Sequence, residues 1–123
     1  MEFFQELKKE VKIDSLKNFL RISALPDFCL LIESVISDKG NIGEIYCVWG
    51  HFIVSREVIK NGVRFSLLDC PHAFAWTITY HESKNMVVIH CTIDDQDADQ
   101  EFAESIQDFA LSWRDGLNNK SLN

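Results

Sequence analysis

Two hydrophobic periods divide this chain. Near the start, Phe3, Phe4, Leu7 and Val11 recur at helical spacing. Leu16, Phe19 and Leu20 do so again after Asp14-Ser15, a pair suited to cap a new helix. The pattern predicts one bent helix or two short ones. Pro26 disfavours a helical Leu25 and closes this section before Asp27.

From Phe28 onward, β-branched and aromatic runs alternate with turn clusters, which predicts about five sequential antiparallel strands. They are Phe28 to Ile36, Glu44 to Val54, Val63 to Leu68, Phe74 to Tyr80 and Met86 to Ile93. Asp38-Lys39-Gly40-Asn41, Cys70-Pro71-His72 and Glu82-Ser83-Lys84-Asn85 supply the turns. Ser55 to Gly62 reads in two ways. It is either a long hairpin closing on Asn61-Gly62, or a short helix capped by Ser55 and stopped by Gly62.

The last element has the clearest pattern: Phe102, Ile106, Phe109, Trp113 and Leu117 form a stripe of helical period. Asp97 is placed to cap it, Asp99 and Glu101 favour its N-terminus and Arg114 its C-terminus. A helix from Ala98 to Leu117 would reach roughly 30 Å, enough to cover a sheet face. The expected fold class is therefore α+β: an antiparallel meander of about five strands, flanked by N-terminal helices and a long C-terminal helix packed on one face. With no internal repeat or linker, residues 1–123 read as a single domain, the tail from Asn118 being frayed.

Strand alternation then separates two faces. One set is strongly apolar: Val63, Phe65 and Leu67, then Phe74, Trp76, Ile78 and Tyr80, then Val87, Ile89, Cys91 and Ile93. The opposite set is smaller and more polar, and belongs to a face that the helices leave open or that the twisted sheet partly covers by curling over it. In the second strand, Tyr46, Val48, Phe52 and Val54 read as core, which places Cys47, Trp49 and His51 on that open face, with Gly50 as a candidate bulge. Trp49, His51, Arg64, Thr77, Thr79 and His90, with Met86, thus form the candidate binding surface. It is too aromatic for plain solvent and too polar for a closed core, and suits a protein partner or a second copy of the chain.

Composition narrows the partner. A formal net charge of -7 and the lack of a Lys/Arg cluster argue against a nucleic-acid backbone, and point toward a basic partner. The densest basic stretch, Lys8, Lys9 and Lys12, is interleaved with Glu6 and Glu10. No stretch resembles a signal peptide or a membrane span, and the 4 cysteines lack the spacing of a disulfide framework. A cytoplasmic protein with reduced thiols is expected.

The chemistry-bearing residues offer little that converges. His90 and Cys91 are adjacent on a strand and point to opposite faces, so they cannot share an ion. Cys70 and His72 supply two ligands at most from one turn. Cys47 and His51 stand about 13 Å apart along a strand, beyond the reach of a thiol and its base. Asp95, Asp97 and Asp99 alternate like calcium ligands, but Gln100 takes the place of the turn glycine. No serine elbow, phosphate loop or dinucleotide fingerprint is present, and no metal or cofactor is expected.

The favoured reading is a non-enzymatic adaptor, chaperone or inhibitor that uses the open sheet face, the acidic C-terminal helix or both. The competing one is a ligand-binding protein or enzyme with a pocket between curved sheet and C-terminal helix, lined by Trp49, His51, Trp76, Thr77 and His90. The layout, with the closing stretch from Phe102 through Phe109 to Trp113-Arg114, loosely resembles the small acidic chaperones of bacterial secretion systems. That resemblance implies a protein-binding role and an internal dimerisation helix, for which Ser55 to Gly62 is the available segment.

Overall fold

The computed structural model describes residues 1–122. Seven strands form one antiparallel sheet in the order β1-β7-β6-β5-β4-β3-β2. They are β1 (Glu2–Lys8), β2 (Ile32–Asp38), β3 (Ile42–Cys47), β4 (Gly50–Ile59), β5 (Gly62–Leu67), β6 (Ala75–His81) and β7 (Met86–Thr92). Among the described residues three α-helices, α1 (Ile13–Phe19), α2 (Leu25–Phe28) and α3 (Gln100–Asn118), with single 3-10 turns at Ile22–Ala24 and Glu82–Lys84, complete the α+β meander.

The first element corrects the sequence reading: Glu2–Lys8 is an edge strand. Phe3, Leu7 and Val11 are spaced by four, which suits a strand of period two as well as a helix. Pairing with β7 decides it, setting Phe3 opposite Cys91 and Leu7 opposite Val87. β1 and β2 therefore occupy opposite edges, and residues 9–31 must cross about 29 Å of sheet. α1 and α2 are the path of that crossing. Leu25 is helical although it precedes Pro26, because the proline sits in the first turn of α2, where its missing N–H costs no helical bond.

The run expected as one strand from Glu44 to Val54 is a hairpin. Val48 and Trp49 form its turn, Cys47 pairs with Gly50, and Gly50 adopts φ +119°. Side-chain parity therefore switches: odd residues face the core in β3 and even residues in β4. This places Cys47 inside and Tyr46 and Val48 outside, the reverse of their expected places, while Phe52 and Val54 stay inward.

Ser55 to Gly62 lies in the β4–β5 hairpin, closed by Lys60 and Asn61. The internal helix implied by the chaperone resemblance is thus a strand pair here.

The core lies between the sheet and α1, α2 and α3. Every residue of the expected apolar set, from Val63 to Ile93, is buried. Trp76 is in contact with Phe65, Phe74 and Phe109, at centroid distances of 5.2, 5.5 and 5.0 Å. Trp113 of α3 stacks on Phe28 of α2 at 5.9 Å. Beyond α3, Leu122 is fully buried, and the ammonium of Lys9 donates to the carbonyls of Leu117, Asn118 and Lys120. These contacts set the end of α3 and Leu122 against the rest of the fold. Asn123 lies outside the described residues.

Arg56 is the charged exception on the inner face. Its Nε donates to the carbonyl of Leu20 and its Nη2 to that of Lys17, both at 2.6 Å, satisfying carbonyls at the end of α1. Desolvation holds its pKa below the usual guanidinium value, and Arg21 adds repulsion.

Candidate functional site

Because α1, α2 and α3 pack on one side, the other side of the sheet is left without a described covering element. Strand register fixes what it presents. Glu57, Arg64, Thr77, His90 and Phe4 line up as direct neighbours across β4, β5, β6, β7 and β1. Thr79 stands beside Val88 in the next row, which continues to Glu6. Arg64, Thr77, Thr79 and His90 are thus brought together as the alternation predicts.

The imidazole of His90 is fixed on both sides. It stacks on Phe4 with centroids 4.2 Å apart, and its Nε2 lies 2.9 Å from a carboxylate oxygen of Glu2. Phe4, Thr77, Thr79, His81, Met86 and His90 belong to the lining of an open depression of about 590 Å³. Thr79 Oγ1 also lies 3.2 Å from His81 Nε2.

His51 is on this face but several strands away, opposite Tyr46, with its Nε2 3.2 Å from Glu44. Tyr46, Ile53 and Leu68 form an exposed apolar group around it. Strand alternation already places Leu68 on this face with Arg64, whereas Phe4, Tyr46 and Ile53 lie outside the sequence reading of it. Alternation in β1 would have found Phe4, and recognition of the Val48-Trp49 turn would have found Tyr46.

Trp49 belongs elsewhere. From the β3–β4 turn its ring reaches the helix side of the sheet, meeting Phe74, Phe102 and Phe109 at 5.0, 5.8 and 5.2 Å. Its Nε1 donates to the Ser105 hydroxyl at 2.9 Å, and that hydroxyl donates to the Phe102 carbonyl at 2.6 Å. Trp49 and Trp76 thus lie on one side of the sheet and His51, Thr77 and His90 on the other, so the pocket expected from these five residues cannot form.

All 4 cysteines are free thiols. Burial raises Cys29 to about 11 and also pushes Cys47 and Cys91 upward. These three are therefore protonated and inert at neutral pH. Among the described residues no group of three or more His, Cys, Asp or Glu side chains is arranged to hold a metal ion. No described helix is long and apolar enough to cross a membrane.

Fold and site together define an α+β domain with helices on one face of an antiparallel sheet and a mixed aromatic and polar surface on the other. No family model matches the chain, and no curated protein matches it. The fold is similar to the crystal structure of an uncharacterized protein from Bacillus thuringiensis, with a TM-score of 0.64 and 14% identity, over 97% of this chain and 100% of that one. At that identity the likeness is one of fold.

Proposed function

We propose that this chain is a non-enzymatic protein-binding domain, of the adaptor, chaperone or inhibitor kind, that engages a positively charged partner through the open sheet face. The observation that carries the reading is the exposure of Phe4, Tyr46, Ile53 and Leu68 on a face without a described cover. Tyr46, Ile53 and Leu68 make up the apolar patch, with Phe4 standing apart at the β1 edge, and apolar patches rimmed by polar residues mark contact surfaces.

The face is also large enough. Seven strands spaced by about 4.8 Å, with about seven residues each, give roughly 750 Å², close to the ~800 Å² per partner of a standard interface. Glu2, Glu6, Glu44 and Glu57 stand on it around a central Arg64, and the chain carries a net charge of -7. Long-range attraction then favours a basic partner, while the apolar side chains supply affinity at contact.

The test compares wild type with Phe4→Glu and Leu68→Glu on the face and Leu111→Glu on exposed α3, all purified under native conditions. Native mass spectrometry and light scattering read their composition. A basic protein held stoichiometrically by wild type and Leu111→Glu, but lost from both face variants, supports the reading. Retention unaffected by the face variants overturns it. A homodimer broken by Phe4→Glu replaces the basic partner with a second copy of the chain.

A further inference from the structure

Between the end of the sheet and the first turns of α3 lies a second concavity, of about 250 Å³, on the helix side and away from the open face. Trp49, Phe52, Phe74 and Phe102 wall it, and Cys70 and His72 rim it. Trp49 stands edge-on to both Phe74 and Phe102, at interplanar angles of 76° and 75°. Phe74 is buried, but Trp49, Phe52 and Phe102 are only half-buried, so ring surface is presented to a recess rather than sealed in core.

The polar group at the rim is oriented. His72 lies against Phe102 at 4.5 Å, and its Nδ1 is bonded to a carboxylate oxygen of Asp95. In the neutral ring, an Nδ1–H donated to Asp95 leaves Nε2 as an acceptor. The bond from Nδ1 to Asp95 is the one side-chain hydrogen bond of His72 found among the described residues.

The turn that carries His72 is itself held in an uncommon shape. The Ala73 N–H donates to the Cys70 carbonyl at 3.0 Å, and Ala73 adopts φ +52°, a left-handed conformation that alanine seldom takes. Such outliers concentrate where a structure positions a functional group.

We propose that this pocket binds a single phenolic ring, packed among Trp49, Phe74 and Phe102 and donating its hydroxyl to Nε2 of His72. Size limits the ligand to one ring, because drug-sized molecules and cofactors occupy pockets of roughly 300–1,000 Å³. Aromatic walls favour edge-to-face packing of a ring. The acceptor at the rim selects a hydroxyl over a bare hydrocarbon. A free phenol and a tyrosine side chain share this chemistry.

The test titrates the full ¹⁵N-labelled chain with p-cresol and with toluene, following the indole N–H of Trp49, assigned by its loss in Trp49→Phe. p-Cresol should bind with Kd near or below about 1 mM and about tenfold more tightly than toluene. His72→Phe keeps a ring against Phe102 but removes the acceptor, and should erase that preference. Cys70→Phe fills the recess and should abolish both; a dispersed spectrum shows that each variant is folded. Tighter binding of N-acetyltyrosinamide than of p-cresol identifies a tyrosine side chain as the occupant, and binding of p-cresol alone identifies a free phenol. No movement of the Trp49 signal at about 10 mM p-cresol overturns the pocket. A preference that survives in folded His72→Phe overturns the role of His72.

Discussion

The ring of Phe4 lies flat on the imidazole of His90, with centroids 4.2 Å apart and planes within 3° of parallel. Phe3, the preceding residue, points to the opposite side and is 8% exposed, against 56% for Phe4. The two neighbours thus belong to different surfaces. Phe3→Ser should cost about 3–5 kcal/mol by emptying core, whereas Phe4→Ser should cost no more than about 1 kcal/mol. Urea unfolding midpoints measure both. Equal losses would place the two rings on one side and remove β1 from the open face.

Arg56 joins β4 to the end of α1 through two short hydrogen bonds to backbone carbonyls. Arg56→Met retains the aliphatic stem but leaves the carbonyls of Lys17 and Leu20 without their donor. A loss of about 2–3 kcal/mol is expected, since each charge-assisted bond contributes on the order of 1.5 kcal/mol. Arg56→Lys should recover only part of it, because an ammonium lacks the planar fork that meets both carbonyls. Full recovery in Arg56→Lys would reduce the role of Arg56 to its charge.

Two glycines should respond to alanine for different reasons. At Gly116 an added Cβ would sit 1.8 Å from the Phe28 carbonyl oxygen, so α3 would have to withdraw from α2. Gly116→Ala should cost about 3 kcal/mol and alter the near-ultraviolet signal of Trp113, which stacks on Phe28. Gly40 has open space around it but φ +93°. Gly40→Ala should cost about 1 kcal/mol, from backbone strain alone, and leave the Trp113 signal unchanged. Comparable spectra for the two variants would contradict the tight α2–α3 crossing.

These contacts show where the chain could be read in advance and where it could not. Alternation in β5, β6 and β7 sorts Phe65, Trp76 and Ile89 from Arg64, Thr77 and His90, because both strand period and one-sided burial are strong there. The stripe from Phe102 to Leu117 defines α3 just as directly. In β1 the signal was ambiguous, since a spacing of four fits both helix and strand and only the partner strand separates them. The Val48-Trp49 turn has no sequence signal, because neither residue is a turn former, and alternation that runs through it without a break assigns Trp49 to the opposite face. Asp95 comes from a loop 23 residues beyond His72, so their bond had no local signature at all.

The thiols give a test of burial that needs only pH. Cys70 is half-buried at a turn, whereas Cys29, Cys47 and Cys91 are buried, and burial raises the pKa of each of those three. At pH 8 a disulfide reagent should therefore label Cys70 promptly and the others only after unfolding. The same shifts make stability fall in alkali. Cys29 ionises at about 11 when folded but near its ordinary 9.0 when unfolded, so the unfolded chain releases its proton first. Its contribution is complete below pH 9 and disappears progressively as pH rises toward 11. Cys47 and Cys91, shifted in the same direction, steepen the decline. Thermal midpoints between pH 8 and 11 should drop for wild type and less steeply for Cys29→Ala, whose lower starting stability reflects the lost packing. A slope unchanged by that substitution would mean that the Cys29 thiol, set beside the Phe109 carbonyl, is reached by solvent in the folded chain.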